Sequence, residues 1–226
     1  MNTLAKPLAL ALTLSFISIS APAIAYQAGD FIVRAGVTSI TPNDSSSNVI
    51  LNQSTDTGTE TSVDSNSQLG LTFEYMITPT WGFEVLAASP FKHNIKGQGG
   101  VLAGANIGSV KQLPPTLSMV YHIATESKFD PYFGVGINYT AFFSEHLAAD
   151  TVTAVGDGQL KVDNSWGAAL QVGFDYQLND NWLLNSSVRY IDIDTKAAIN
   201  FDSASTAVVD VDIDPWVYSI MLGYKF

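Results

Sequence analysis

The chain has 226 residues, no cysteine and a formal charge of -11, with 46% hydrophobic and only 14% charged residues. The missing cysteines exclude a disulfide framework and thiolate chemistry. The acidic balance excludes a binder of phosphate backbones, which needs a basic face, so no nucleic acid is expected as a partner. The hydrophobic content is too high for a disordered acidic tail, and the length suits one domain.

The N-terminus reads as a targeting segment. Lys6 supplies the positive region, LALALTLSFISIS the apolar region, and Ala23-Ile24-Ala25 a small-x-small cleavage site. Residues 1–25 are therefore expected to be a cleaved signal peptide, and 26–226 the folded domain. Losing Lys6 takes the net charge from -11 to -12. No later stretch approaches the ~20 apolar residues of a membrane helix.

The rest of the chain repeats one pattern, an alternating segment followed by a turn or loop. The segments are DFIVRAGVTS (30–39), QLGLTFEYMI (68–77), WGFEVLAAS (81–89), PTLSMVYHI (115–123), FDPYFGVGINYTAFF (129–143), SWGAALQVGFDYQ (165–177), WLLNSSVRYIDID (182–194) and the terminal PWVYSIMLGYKF. In the sixth, Trp166, Ala168, Leu170, Val172, Phe174 and Tyr176 share a face. In the last, Trp216, Tyr218, Ile220, Leu222, Tyr224 and Phe226 do. Connections are short after even segments (TPT, ATESK, LNDN) and long and polar after odd ones (40–67, 90–114, 144–164, 195–209).

Short turns alternating with long loops are what an up-and-down outer-membrane barrel shows. A spanning strand needs ~9–11 residues, and aromatics are expected at both ends of its apolar face. Trp182 to Tyr190 and Trp216 to Phe226 meet both conditions. Opposite the apolar faces stand mostly Gly, Ala, Ser, Thr, Asn and Gln, which suits a lumen better than a water-facing exterior. The predicted fold is an all-β, eight-stranded antiparallel transmembrane barrel in the outer membrane of a Gram-negative cell, with short periplasmic turns and long extracellular loops. The terminal strand closes the barrel against the first segment.

Eight blocks in order resemble the OmpW family, which is related to OprG and the alkane-uptake protein AlkL. They are AGDFIVRAG (28–36), QLGLTFEYM (68–76), LAASPFKH (86–93), QLPPTL (112–117), PYFGVGINYTAFF (131–143), DNSWGAALQVGFDY (163–176), YIDIDT (190–195) and DPWVYSIMLGYKF (214–226). The resemblance implies a monomeric barrel with a narrow hydrophobic pocket open outward. It implies passage of small hydrophobic molecules across the outer membrane, with sideways release into the bilayer. It also implies that Tyr224 and Phe226 carry the C-terminal signal read by the outer-membrane assembly machinery. Relatives often carry a Trp at position 189, forming with a Leu at Leu86 a hydrophobic constriction. Arg189 departs from that pattern.

Parity points Glu74, Glu84, Leu86, His122, Asn138, Gln171, Asp175, Asn185 and Arg189 inward. A lipid-facing charge costs ~2–4 kcal/mol at the midplane. Arg189 is thus expected to pair with a carboxylate, either as a salt-bridged plug or as a polar gate below the pocket. Pairing Tyr190 with Trp216 sets Asp192 opposite Asp214 and Asp194 opposite Asp212. That cluster reads as a solvated acidic collar or as an oxygen-ligand cation site bridging lipopolysaccharide phosphates. Pro114-Pro115 reads as a loop-to-strand corner or as a gap for sideways exit. The stretch 97–108 reads as a mobile loop or as part of a pocket mouth with Phe91, Ile95, Phe142 and Phe143.

No enzyme, cofactor or certain metal site is expected. His93, His122 and His146 stand on separate elements, no GxSxG occurs, and the 97–108 glycines precede no helix. The expected partners are the lipid bilayer, lipopolysaccharide, small hydrophobic solutes and the assembly machinery. The alternatives are a structural or surface-interaction barrel with a closed lumen, or a narrow channel for small polar or ionic solutes.

Overall fold

The computed structural model describes residues 26–226, and the predicted signal segment lies outside them. Eight strands form the wall: β1 (Phe31–Thr41), β2 (Asn66–Met76), β3 (Trp81–Ala88), β4 (Thr116–His122), β5 (Phe129–Leu147), β6 (Ser165–Gln177), β7 (Trp182–Ile191) and β8 (Trp216–Lys225). Each pairs antiparallel with its sequence neighbours. The wall closes where β8 meets β1, from Ile32 opposite Lys225 to Thr41 opposite Trp216. The fold is thus the closed, eight-stranded up-and-down barrel that the alternation predicts.

The two faces of each strand divide as the sequence does. Along β8, Trp216, Tyr218, Ile220 and Leu222 are exposed, while Val217, Ser219 and Met221 are buried. The exposed apolar belt is the lipid face, because a water-facing wall would expose polar residues instead. Aromatic rows rim it. Phe31, Trp81, Tyr121, Trp182 and Tyr224 stand at the short-turn end, and Tyr139, Trp166, Tyr190 and Trp216 at the long-loop end. The predicted tight turns close as hairpins, with Ile77 N–H bonded to Trp81 C=O at 2.8 Å and Leu178 N–H to Trp182 C=O at 2.9 Å. The final residue is tied down, since the Phe226 N–H donates to Phe31 C=O at 2.9 Å.

The long connections differ from the expected loops. Phe91–Gln98 and Asn106–Leu113 form a hairpin flanked by Glu60–Val63 on one side and the upper half of β5 on the other. Gly158–Val162, Asp194–Phe201 and Thr206–Asp212 form a second sheet, with Ile50–Leu51 and Thr55–Asp56 at its edge. Even 45–62, within the connection expected to be long and polar, contributes short strands. The cause is period-two alternation that continues beyond the membrane. Ala207, Val209, Val211 and Ile213 are buried, while Asp210 and Asp212 between them are exposed. The main apolar cluster therefore sits above the membrane, between the two extracellular extensions.

Candidate functional site

The membrane-level lumen is filled by ions. Arg34 on β1 is the hub. Its Nη1 lies 2.8 Å from Glu74 and 3.5 Å from Glu84. Its Nε and Nη2 donate to the two oxygens of Asp175 at 3.1 and 2.5 Å, a fork that matches carboxylate geometry. The Tyr26 hydroxyl and the Asn185 amide also donate to Asp175, at 2.6 and 2.8 Å. His122 bridges Glu74 at 2.8 Å and Asp130 at 2.9 Å. One layer nearer the outside, Arg189 pairs with Glu84 at 2.8 Å and donates to the Gln171 carbonyl oxygen. The Gln171 amide in turn donates to Glu84 at 3.0 Å.

Arg34, Glu74, Glu84, Asp175 and Arg189 are each 3% exposed or less. Buried ions persist when they are paired in this way, although Arg189 Nε finds no hydrogen-bond partner and Arg34 Nη1 meets Glu74 as an ion pair only. The lumen wall makes room for them. A methyl group on Gly82 would overlap the Glu74 carboxylate, and one on Gly223 would stand 3.0 Å from Arg34 Cγ.

Above the ions the lumen turns uncharged. Thr38 and Ser219 share a hydrogen bond of 3.0 Å, and Leu86 stands between Thr72 and Thr116. A pocket of about 350 Å³ follows, walled by Ile95, Ile107, Val110, Phe142, Leu160 and Ile213 among others. Two of its polar residues, His93 and Gln112, are paired, while the buried Thr61 hydroxyl has no hydrogen-bond partner. His93 donates from Nδ1 to the Asp64 carbonyl at 2.5 Å, and its Nε2 accepts from the Gln112 amide at 3.0 Å. Burial holds this imidazole below its ordinary value, so it stays neutral.

Beside the pocket the wall is interrupted. The β3–β4 ladder stops at Leu86 opposite Thr116. Pairing resumes only at Phe91 opposite Gln112. Pro90 and Pro114-Pro115 occupy the stretch between, where they can donate no ladder bonds. On the other side Asn138 staples the proline carbonyls to β5, at 3.2 Å to Pro114 and 3.1 Å to Pro115. The interruption thus falls between β3 and β4 and not between β4 and β5.

An apolar pocket on a sealed eight-stranded barrel invites comparison with known proteins. The sequence pattern of the OmpW family matches residues 27–226. The chain belongs to the OmpW family. Within the OmpW family, a Vibrio cholerae relative named Outer membrane protein W is 51% identical over 209 residues, covering 92% of this chain and 93% of the relative. The crystal structure of OprG from Pseudomonas aeruginosa superposes with a TM-score of 0.85 at 48% identity, covering 90% of this chain and 99% of that one. A more distant relative, the dibenzothiophene metabolism operon protein PahQ of Pseudomonas aeruginosa, is 28% identical over 196 residues, 85% of this chain and 87% of its own. Like its OmpW relatives, this is an outer-membrane barrel and not an enzyme.

Several sequence expectations change on this OmpW scaffold. Ile95 and Phe142 line the pocket. Phe91 is fully buried and stacks on His93 at 6.4 Å, so it backs the wall. Phe143 does not belong to the pocket mouth. It pairs with Lys111 on the opposite strand face and points outward, half-buried. From the stretch 97–108, Leu102 and Ile107 reach the pocket. Tyr26, Arg34, Asp130 and Pro90 belong to the site but escaped the sequence reading. Arg34 carried the same signal as Arg189, a charge at lumen parity in a spanning segment.

The ladders set Tyr190 opposite Trp216 and Asp194 opposite Asp212, while the expected Asp192–Asp214 pairing is absent from them. Carboxylate oxygens of Asp192, Asp194 and Asp214 lie within 4.8 Å of one another. Asp214 is held by Tyr190, whose hydroxyl donates at 2.9 Å, and by the Ile193 N–H at 3.1 Å. Lost hydration and the neighbouring Asp192, Asp212 and Asp214 push the Asp194 carboxyl above its ordinary range. A carboxyl raised on folding opposes stability at neutral pH, and that opposition fades as pH falls through its folded value. Asp194→Asn is therefore expected to raise stability at neutral pH by roughly 0.2–1 kcal/mol in chelator. The gain should shrink in acid. Urea midpoints at two pH values check this, and a loss of stability confined to added calcium would reveal a cation bridge instead.

Proposed function

We propose that this barrel gives small hydrophobic molecules a narrow path across the outer membrane, with release sideways into the bilayer. The observation that carries this reading is the pairing of an apolar pocket with a layer of buried ions lower in the same lumen. A solute that enters the pocket meets ions below and an interrupted ladder beside it. Burying an apolar solute against those ions forfeits their hydrogen bonds, whereas the side route leads to lipid. The pocket volume suits a molecule of a few rings, since ligand sites commonly span about 300–1,000 Å³. The operon name of the PahQ relative fits the same class, an apolar aromatic.

A structural or surface-contact barrel would share the sealed lumen but have no use for the pocket. The two readings separate on Val110→Asp with Ile213→Asp, which places charge in the pocket wall and leaves the wall ladder alone. Uptake of a naphthalene-type fluorescent probe by cells should fall at least about tenfold, the effect of 1.4 kcal/mol or more against an apolar ligand. Unchanged uptake, with the variant folded, would remove the pocket from the path. A channel for small polar or ionic solutes is the weaker reading, because the ion layer would have to part. Its mark would be steady single-channel conductance in planar bilayers.

A further inference from the structure

The outer side of the hairpin Phe91–Gln98/Asn106–Leu113 carries a basic pair with no internal purpose. Lys92 stands directly opposite Lys111, and both are exposed. Like charges facing each other across a ladder are unfavourable. Among the described residues no carboxylate forms an ion pair with either, and the lysine ion pairs are Lys196 with Asp210 and Lys225 with Asp30. The pair is also set in a strongly acidic extracellular surface. Lys96, further up, differs. It faces Ser62 on a strand whose same side carries Glu60 and Asp64.

Depth and surroundings identify what the pair meets. On β5, Phe143 pairs with Lys111, Ala141 with Leu113, and Tyr139 with Trp166 of the upper aromatic row. Four residues of strand separate the lysine row from that aromatic row, roughly 13 Å along the strand. A strand tilt of about 40° reduces this to about 10 Å of height. Lysine side chains reaching down from there end in the headgroup layer. Between the two rows Leu113 and Ala141, and beside Lys111 in the lysine row Phe143, present a half-buried apolar strip on the outer face. Aromatic, apolar and basic rows in that vertical order match an amphiphile with acyl chains below and phosphate above.

We propose that Lys92 and Lys111 dock a phosphate of the anionic glycolipid of the outer leaflet, with its acyl chains against Leu113 and Ala141 below. The proposal commits to a lipid-borne phosphate, because the apolar strip has no role for a free one. It stands apart from the solute path, since the pocket lies on the inner face of the same hairpin.

The test uses the folded full-length barrel in neutral detergent, with rough lipopolysaccharide as probe and dephosphorylated lipopolysaccharide as comparator. Wild type should bind the phosphorylated form more tightly. Each of Lys92→Gln and Lys111→Gln should weaken binding about fivefold and the double variant about 25-fold. Lys96→Gln and Lys111→Arg should bind as wild type does. The double variant should fold at least as well in lipid-free detergent, because a repulsion is removed. Equal affinity of wild type for both lipid forms, or a double variant that still discriminates them, overturns the proposal. Full competition by millimolar inorganic phosphate overturns the lipid assignment.

Discussion

Replacing Arg34 with methionine is expected to cost the barrel about 3–5 kcal/mol, the penalty for breaking a buried pair from one side. The reason lies in what remains. Asp175, wholly buried, keeps only the Tyr26 and Asn185 donors, and Glu74 keeps only His122. Urea midpoints in lipid vesicles, or the heat-dependent gel mobility of the folded barrel, report the loss. Adding Asp175→Asn should restore part of it, because one uncompensated charge goes. Arg189→Trp should cost less, since Glu84 retains Gln171 at 3.0 Å and Arg34 at 3.5 Å. A folded Arg34→Met barrel as stable as wild type would mean that the hub role is wrong.

The second large effect concerns the wall. Replacing Pro90, Pro114 and Pro115 together with alanine restores three backbone donors where the β3–β4 ladder is broken. If the ladder zips, apolar probe uptake should drop about tenfold while the pocket residues stay in place. Stability should change little. Losing three prolines frees the unfolded chain by about 0.4–1 kcal/mol each, and each new hydrogen bond returns about 0.5–1.5 kcal/mol. Uptake by proteoliposomes with a bilayer-partitioning dye separates the two quantities. Undiminished uptake in a variant whose amides at 114 and 115 are protected from exchange would send the exit elsewhere.

The wall was legible because lipid demands strict alternation and rim aromatics. That demand places all eight strands and fixes Tyr190 opposite Trp216. Parity also identifies the charges that must face inward, Arg189 with Glu84 among them. Which ions meet is a different matter. Arg34 reaches Asp175 across 141 residues of sequence, and that pairing depends on the stagger of the closed barrel. Alternation within one strand carries no information about it. The extracellular sheets were hidden for another reason. The stretches 91–98 and 206–212 alternate as well as the spanning strands do, but they lie past the length one membrane crossing needs. Their polar partners made them read as loop. The pocket, being a space between two such sheets, has no signature in any single segment.

The position of the seal has a consequence for selectivity. The Arg34 layer, buried and ion-paired, lies across the lumen below the pocket. On the proposed path the filter would then be the partition coefficient and not a diameter. On that path a molecule would be admitted according to how much it prefers oil to water, and net flux would follow its gradient into the bilayer. Hydrophilic toxins small enough for ordinary porins would gain nothing from such a route, so a cell could carry many copies without adding a leak.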